Sequence, residues 1–371
     1  MIKILHFISD SKIGGAGKLL IEQISELDKN QFDITVALPK YSKLIDKLPC
    51  KIIECNCSID KSFSFNSIIE DYKIIKKIKP DIVHSHGSLS SRIAAKFLNI
   101  KSRVFTRHCA PNVPKYMKKP LSKWIFGKIN NILSTSIIAV SPYTKRYLID
   151  LGCNEKMIKT IMNGCSPLRY LSYDEKALYR TKYGLQEDDF VVSYIARLEE
   201  IKGHKTLIEA AKICKKQCQK LRFFIVGNGS CEENLKDYAT KLKVNDVVEF
   251  IGFLDDISPI LNISHLNLNC SYDSETASLS LSEGMSLAIP CIASDVGGNP
   301  YMIKNEINGL LFPPKDAKSL ANAIIRLYED KNLYKKCSRG AYNRYQKELS
   351  SKIMCRKMTR LYLSEIEKVK H

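Results

Sequence analysis

The sequence lacks a hydrophobic run long enough to span a membrane: no uninterrupted apolar stretch approaches the roughly 18 residues that a spanning helix needs. It also lacks a signal-peptide pattern, so Met1–Asp10 is predicted to be the first strand of a folded domain. The 13 cysteines are scattered, and neither Cys55-x-Cys57 nor Cys214-x3-Cys218 has a second ligand pair at zinc-finger spacing. We therefore expect free thiols, no bound metal or other cofactor, and a cytoplasmic location.

The composition excludes a disordered chain, because 44% hydrophobic and 26% charged residues is an ordinary globular mixture. At about 150 residues per domain, the length of 371 residues predicts two domains or one large one. The 58 Lys and Arg against 39 Asp and Glu give a formal charge of +19.

Short β-branched runs alternate with helical patterns along the whole chain, which predicts βαβ units and mostly parallel sheets. In the first half the predicted strands are Ile2–Ile8, Asp33–Leu38, Lys51–Cys55, Asp81–His84, Arg103–Thr106 and Ser136–Val140. In the second half they are Phe190–Ala196, Leu221–Val226, Val247–Ile251, Leu266–Asn269, Cys291–Ala293 and Gly309–Phe312. The polar stretch Ser166–Asp189 separates the two series. We predict two doubly wound Rossmann-like domains facing across a cleft, 1–168 joined by a C-terminal helix at about 350–371, and 169–349.

Glycines follow the first predicted strand in Gly14-Gly15-Ala16-Gly17-Lys18. They allow either a tight turn or close approach of an anionic ligand to a helix N-terminus. Gly227-Asn228-Gly229, which follows another predicted strand, leaves the same two interpretations open.

Two cations end the first strand of the second half: Arg197, and Lys202 before Gly203. They can clamp a diphosphate through charge-assisted hydrogen bonds. Alternatively, they are solvated and pair with Glu199 and Glu200.

Two glutamates, Glu275 and Glu283, stand eight residues apart around small and hydroxylated residues. If a helix begins near Ala277 or Ser278, Glu275 lies in the loop before it and Glu283 about a turn and a half inside. A carboxylate can accept both hydrogens of a vicinal diol, and the helix N-terminus can bind phosphate oxygens. Otherwise both acids merely favour the helix dipole.

In combination these motifs resemble the GT-B glycosyltransferases, specifically the retaining family 4 type, over nearly the full length. The resemblance is carried by Arg197 with Lys202-Gly203, by Glu275-x7-Glu283, and by the segments IPCIASDVGGNP and NGLLF. The segments GGAGK, PDIVHSHG and FTRH of the first half also match family elements.

The resemblance implies a retaining, metal-independent transfer of a hexose or N-acetylhexosamine from a nucleotide-sugar, with UDP the commonest nucleotide in the family. By position, Arg197 and Lys202 would hold the diphosphate, Glu283 the ribose and Glu275 the transferred sugar. His108 of FTRH would lie near the reacting sugar. The phosphate cradle would be completed by backbone at Gly15, Ala277, Ser278 and Leu279, with His84 and His86 on the acceptor side or supporting the cleft. The chain departs from the family pattern at Gly17, Thr276 and Tyr301.

No acidic residue occurs between Asp81 and Asp150, a span with twelve Lys and Arg. Basic residues there alternate with large apolar ones around Trp124, which suits an anionic membrane surface. The predicted docking residues are Lys115, Lys118, Lys119, Lys123 and Trp124. This predicts a peripheral protein on the inner face of the cell membrane, acting on a lipid-linked or lipopolysaccharide glycan; a generally lysine-rich composition is the alternative.

Three other functions have less support. Nucleic-acid binding rests on charge alone, with no zinc-finger, RNP or basic-zipper signature, and we expect no specific nucleic acid as partner. A dinucleotide-dependent oxidoreductase needs a G-x-G-x-x-G fingerprint that is missing. A GT-B phosphorylase or epimerase fits the spacing of Glu275 and Glu283 less well.

Overall fold

Two α/β units form the part of the chain that the structure, a computed structural model, describes: residues 1–11, 13–55, 62–110, 119–273 and 275–370. The first unit consists of Met1–Cys165 and Ser351–His371, and the second of Ser166–Ser350.

The first unit is built on a parallel sheet of seven strands in the order β3-β2-β1-β4-β5-β6-β7. The strands are β1 (Ile2–Ile8), β2 (Phe32–Pro39), β3 (Lys51–Cys55), β4 (Ile82–His86), β5 (Ser102–Arg107), β6 (Ser136–Ala139) and β7 (Ile158–Thr160). The helices are α1 (Gly15–Glu26), α2 (Phe65–Ile78), α3 (Leu89–Phe97), α4 (Pro120–Leu133) and α5 (Pro142–Asp150), with the C-terminal helix Ser351–Lys370. Side chains on consecutive positions of β1 and β4 are buried, as expected for strands covered on both faces.

The second unit has a parallel sheet of six strands in the order β10-β9-β8-β11-β12-β13. The strands are β8 (Phe190–Ile195), β9 (Leu221–Val226), β10 (Val248–Gly252), β11 (Leu266–Asn269), β12 (Cys291–Ser294) and β13 (Gly309–Phe312). The helices are α6 (Tyr173–Lys182), α7 (His204–Lys215), α8 (Glu232–Leu242), α9 (Ser258–Asn262), α10 (Leu279–Ser286), α11 (Asn299–Met302), α12 (Ala317–Glu329) and α13 (Lys331–Arg344), and the C-terminal helix Ser351–Lys370 is α14.

Each sheet reverses its strand order beside its own first strand, between β1 and β4 in one unit and between β8 and β11 in the other. In doubly wound sheets, ligands bind at the carboxyl ends of the strands at such a switch point. The predicted fold class, two doubly wound parallel sheets, is confirmed.

The twelve predicted strands are all present, and the sequence reading missed β7. This strand has three residues and pairs only with β6, at the edge of the sheet, so its apolar pattern is too short to detect. The polar stretch that we took as a boundary, 166–189, contains α6, which has no fully buried residue and only Tyr179 partly buried against a hydrophobic cluster, so its apolar pattern is weak. The capping box between Ser172 and Glu175 marks where this surface helix begins.

Helix α14 packs on α1 and completes the first unit. Gln23 of α1 donates a hydrogen bond to the hydroxyl of Tyr362 at 2.6 Å, and Tyr362 is fully buried. Ser136 of β6 donates to the buried carboxylate of Glu365 at 2.8 Å. These two hydrogen bonds hold α14 against helix α1 and strand β6 of the first unit.

Candidate active site

In the second unit, the loop after β8 carries both predicted cations. Arg197 is exposed just beyond the end of the strand, and Lys202 ends a short 3-10 turn that leads into α7. Gly203 follows with φ +69, and a Cβ there would lie 2.1 Å from the carbonyl oxygen of Cys270. A glycine is therefore required for this loop to approach the end of β11.

Lys202 forms an ion pair with Glu275: its Nζ lies 2.8 Å from Oε2 of the buried carboxylate. Ser271 and Asn269 also donate to that oxygen, at 2.8 and 3.2 Å. The alternative considered from the sequence, that Lys202 pairs with Glu199 or Glu200, is wrong. Glu199 instead accepts from the Ser230 hydroxyl at 2.7 Å.

Opposing effects act on the pKa of Glu275. Burial raises the pKa, but the Lys202 ammonium and the hydrogen bonds from Ser271 and Asn269 outweigh it and hold the pKa below its usual value. The carboxylate is therefore ionised at neutral pH. Among the residues described, its three side-chain hydrogen bonds all fall on Oε2.

Three polar residues that the sequence reading did not single out support this carboxylate: Asn269, Ser294 and Asn299. The Asn299 amide donates to the Ser294 carbonyl at 3.1 Å and to Asn269 Oδ1 at 3.4 Å. Ser294 in turn donates to the carbonyl of Ser271. Two of them could have been found from the sequence, because Asn269 and Ser294 are polar residues that end the buried strands β11 and β12.

The glycine pair Gly297-Gly298 holds the loop of Glu275 in place. A Cβ on Gly297, whose φ is +57, would lie 2.2 Å from the Glu275 carbonyl oxygen, and one on Gly298 would lie 1.7 Å from that of Thr276. The Gly298 amide donates to the Glu275 carbonyl at 2.9 Å. Thr276 is buried, and its φ is not positive, so this departure from the family pattern is sterically accommodated.

Helix α10 begins at Leu279, with Ser278 as its N-cap accepting from the Leu281 amide. Ala277 and Ser278 are buried, and Leu279 is half-buried. Glu283 lies four residues after the helix begins, just over one turn inside rather than the predicted turn and a half, and is half-buried. The N-terminus of α10 thus follows Glu275 directly at the carboxyl edge of the sheet.

The Gly227-Asn228-Gly229 turn supports the loop of Arg197. A Cβ on Gly227 would lie 2.1 Å from the Ala196 carbonyl oxygen, and one on Gly229 would lie 2.5 Å from that of Leu198. The tight-turn interpretation is therefore sufficient to explain both glycines, because each is needed for close backbone packing.

In the first unit, Gly14 and Gly15 differ from these packed glycines. A Cβ on either would meet no atom of the described residues within 4 Å, and neither glycine has a positive φ. A Cβ on Gly17, by contrast, would lie 2.8 Å from a methyl carbon of Leu44. The fold itself therefore does not require glycine at positions 14 and 15, where α1 begins.

Four histidines lie together on one face of the first sheet: His6, His84, His86 and His108. His6 is directly opposite His84 in the pairing of β1 with β4, and His86 is two residues further along β4. His108 follows the end of β5 and is half-buried, while the other three are buried. The sequence reading missed His6, although strand alternation and its place on β1 point to it.

Hydrogen bonds divide these histidines into two groups. His86 joins its neighbours, with 3.0 Å from Nε2 to His6 Nδ1 and 3.0 Å from Nδ1 to His108 Nε2. His84 instead contacts the Tyr362 hydroxyl through Nδ1 and that of Thr106 through Nε2, both at 2.7 Å.

Burial keeps all four imidazoles neutral. It lowers the pKa of His6 to about 3 and, together with Arg107, lowers that of His108 to about 4. The pKa values of His84 and His86 are also lowered by burial and by neighbouring histidines. Nitrogens of His6, His84 and His86 lie within 4.8 Å of one another. However, both nitrogens of His84 are engaged with hydroxyl groups, so this arrangement fits a hydrogen-bonded cluster better than a metal site.

Helix α4 carries the described part of the predicted basic and apolar surface. Trp124 is 57% exposed and Leu121 67% exposed, and the Lys128 ammonium lies 4.5 Å from the centre of the Trp124 ring. The exposed apolar residues of the helix are Leu121, Trp124, Ile125, Ile129 and Ile132. They recur at intervals of three and four residues and so form one stripe, which we call the α4 stripe.

The basic residues near the α4 stripe differ in exposure. Lys119 is exposed and Lys123 half-buried, whereas Lys115 and Lys118 lie outside the described residues. Arg92, counted in the acid-free span, is buried under Phe105 and donates to Asn130 at 2.7 Å, so it does not contribute to a docking surface. Across the residues described, none of the helices combines the length and hydropathy of a membrane span.

Comparisons with known proteins identify the family to which these two units belong. The family described as Glycosyl transferases group 1 matches residues 175–344, and Glycosyltransferase Family 4 matches residues 13–167. A UDP-Gal:alpha-D-GlcNAc-diphosphoundecaprenol alpha-1,3-galactosyltransferase of Escherichia coli is 29% identical over 349 residues, which is 90% of this chain and 89% of that protein.

Two crystal structures share the fold. A glycosyltransferase from Rickettsia africae has a TM-score of 0.84 at 23% identity, with 98% of each chain covered. Anabaena Alr3699/HepE in complex with UDP has a TM-score of 0.83 at 20% identity, covering 98% of this chain and 100% of that one. The chain belongs to the group 1 and family 4 glycosyltransferases and has the GT-B fold. Its activity is accordingly glycosyl transfer, in the EC 2.4 class.

Proposed function

We propose that this glycosyltransferase moves a hexose or N-acetylhexosamine from a UDP-linked donor to a lipid-linked or lipopolysaccharide glycan. The observation that carries the donor assignment is the grouping in one unit of Arg197, Lys202, Glu275 and Glu283, on the loops after β8 and β11 and on α10. The carboxyl edge of a doubly wound sheet is where such a ligand binds.

In this proposal Arg197 and Lys202 hold the diphosphate. A lysine ammonium has three N–H donors, so the bond of Lys202 to Glu275 at 2.8 Å leaves two for phosphate oxygens. The amides at Ala277, Ser278 and Leu279 add the positive end of the α10 dipole. These groups neutralise the leaving diphosphate without a divalent metal.

The two glutamates have different tasks. Glu283, half-buried on α10, accepts the ribose hydroxyls. Glu275 is fixed by Lys202 and Ser271 through Oε2, and it presents its carboxylate to a hydroxyl of the transferred sugar. For the first unit, the proposal takes three roles from the family resemblance: His108 acts on the reacting sugar, the backbone of the exposed Gly15 on the phosphates, and the buried His84 and His86 on the acceptor side.

The donor and acceptor classes rest on relatives. The Escherichia coli relative is named for UDP-Gal and a diphosphoundecaprenol-linked acceptor, and the Anabaena structure contains UDP. Retention at the anomeric carbon follows from the family resemblance. The α4 stripe with Lys119, Lys123 and Lys128 supports docking of the first unit on an anionic membrane, where such an acceptor resides.

Thermal unfolding with UDP, GDP, ADP and their sugar conjugates tests the donor class. At a hundred times its dissociation constant, the correct nucleotide stabilises the fold by about 2.7 kcal/mol. In the Glu283→Gln variant we expect UDP to lose most of this effect. The matched control is Glu233→Gln on α8, an 88% exposed side chain in the same unit, which should respond like the wild type.

The outcomes separate two errors. If GDP or ADP compounds alone stabilise the protein, the UDP assignment is wrong. If UDP stabilises the Glu283→Gln variant fully, the ribose assignment is wrong while the donor class stands.

A further inference from the structure

Two arginines of the first unit, Arg92 on α3 and Arg107 at the end of β5, lie on the same side of the sheet. The guanidinium carbon of Arg92 lies 3.9 Å from the centre of the Phe105 ring. Phe105 and Arg107 are two residues apart on β5, so their side chains leave the same face of the sheet. Thr106, between them, contacts His84 on the opposite face. The two guanidinium groups are therefore neighbours near the carboxyl edge of the sheet.

Neither arginine has a negatively charged partner in the described part of the chain. The sequence has no acidic residue at positions 82–149. Arg92 is only 6% exposed, and it donates to two neutral groups, the Ser88 carbonyl at 3.3 Å and the Asn130 side chain at 2.7 Å. The Nε of Arg107 is buried and has no hydrogen-bond partner among the residues described.

Two adjacent positive charges are costly to bury without a partner. Burial, together with the charge of Arg107, lowers the pKa of Arg92 to about 10, so Arg92 is still charged at neutral pH. The charges of both arginines also act on the buried thiol of Cys153, but burial raises the pKa of this thiol to about 11 and it stays neutral. An anion from outside the chain would supply the missing negative charge.

The chemistry of the two arginines favours a diphosphate as this anion. Arg107 is half-buried at the end of its strand, so its side chain is within reach of a ligand at the carboxyl edge. A guanidinium group presents a planar fork of N–H donors that matches phosphate oxygens. Two positive charges match an anion with two or more charges better than a single carboxylate.

We propose that Arg107, with Arg92 behind it, binds the diphosphate of a lipid-linked acceptor. The identity of the acceptor rests on the proposed function, whereas the affinity of the site for a diphosphate does not. Asn130, which accepts from Arg92, belongs to α4. The site therefore lies beside the helix that carries the α4 stripe, and the diphosphate of a lipid carrier is found at the membrane surface on which that helix is proposed to dock.

Calorimetric titration of the full chain with inorganic pyrophosphate tests this site. Saturating UDP is present throughout, so that the donor site of the second unit is filled. We expect Arg107→Gln to weaken pyrophosphate binding at least about tenfold, because it removes charge-assisted hydrogen bonds. Arg107→Lys, which keeps the charge without the fork, should have an intermediate affinity. The matched control is Lys96→Gln, at an exposed lysine on α3, which should bind like the wild type.

The unfolding temperature without pyrophosphate separates a binding role from a structural one. An unpaired cation kept for a ligand lowers the stability of the empty protein. We therefore expect Arg107→Gln to unfold at the same temperature as the wild type or at a higher one. A lower unfolding temperature with unchanged pyrophosphate affinity would mean that Arg107 only supports the fold, and this result overturns the proposal.

Geranyl diphosphate and phosphatidylglycerol vesicles distinguish two sources of phosphate. We expect geranyl diphosphate to depend on Arg107 as pyrophosphate does, and vesicle binding to be the same in the wild type and in Arg107→Gln. A variant that loses vesicle binding alone would have lost a headgroup site, contrary to the proposal. If UDP does not bind, the donor assignment is wrong, and the difference in pyrophosphate affinity between the wild type and Arg107→Gln still decides this site.

Discussion

The Lys202 ammonium and the Glu275 carboxylate lie 2.8 Å apart, although the two residues are 73 positions apart in the chain and both are largely buried. They close the loops after β8 and β11 onto each other at the switch point of the second sheet. The ion pair has a structural role as well as the proposed catalytic one.

Breaking this pair from one side should be costly. Lys202→Met leaves the buried Glu275 carboxylate without its counter-ion, and we expect a loss of about 3 kcal/mol in unfolding free energy. Glu275→Gln in the same chain removes the unpaired charge, so the double variant should be about 1–3 kcal/mol more stable than the sum of the single effects. Urea unfolding followed by circular dichroism measures all four proteins, and strict additivity would contradict the coupling.

The pKa of Glu275 gives the sign of a related effect. The folded pKa of Glu275 lies below the unfolded value of 4.5. The ionised carboxylate therefore adds to the free energy of unfolding, and this stabilisation is fully present above pH 4.5. It is lost as the pH falls through the lowered folded pKa. The Glu275→Gln variant should therefore lose less stability than the wild type on acidification below about pH 4.5.

Glycines at two places should respond in opposite ways to a small side chain. Gly298→Ala places a methyl group 1.7 Å from the Thr276 carbonyl oxygen, so we expect strong destabilisation. The added methyl group of Gly15→Ala meets no atom of the described residues within 4 Å, so stability should be unchanged or higher, while the proposed donor site predicts a lower affinity for UDP. Unfolding temperature and calorimetric affinity test this contrast. Unchanged affinity in Gly15→Ala would remove Gly15 from the donor site.

The α4 stripe makes membrane docking measurable by fluorescence, since Trp124 is the only tryptophan of the chain. We expect a blue shift with phosphatidylglycerol vesicles, reversed by salt, and little change with phosphatidylcholine. Replacing Lys119, Lys123 and Lys128 by glutamine should weaken binding by about 3 kcal/mol, or roughly a hundredfold.

The matched control for docking replaces three exposed lysines of the second unit, Lys212, Lys241 and Lys318, by glutamine. This variant has the same net charge as the first and should bind like the wild type. Equal binding to neutral and anionic vesicles, insensitive to salt, would rule out electrostatic docking.

The buried histidines predict acid sensitivity of the first unit. The folded pKa of His6, about 3, lies below its unfolded value of 6.5, so the unfolded chain binds the extra proton and stability falls as the pH drops below 6.5. For His6 alone, the loss between about pH 7.5 and about pH 5.5 is about 1.4 kcal/mol. In His6→Asn the pH dependence should be smaller by this amount in urea unfolding. An unchanged slope would mean that His6 is not buried as a neutral ring.

Much of the fold could be predicted from the sequence because β-branched runs and helical periods are local signals. Strands such as Leu221–Val226 and Leu266–Asn269 have the predicted boundaries. The edge strand β7 and the exposed helix α6 escaped notice because neither has the apolar pattern of a buried element.

The candidate site could be predicted from the sequence only in part. Motif spacing identified Glu275 and Lys202, but not that they pair, since that contact depends on a close approach between the loops after β8 and β11. Asn269 and His6, in buried strands, and Asn299, at the start of α11, were missed for the same reason: the role of each depends on hydrogen-bond partners distant in the chain.

Helix α14 has a consequence for biosynthesis. Tyr362, which contacts both Gln23 and His84, is synthesised after the whole of the second unit, Ser166–Ser350. The first unit therefore cannot close over its histidines until the second unit has been made, and the second unit can mature earlier than the one encoded ahead of it. A change that removes α14 acts on the first unit.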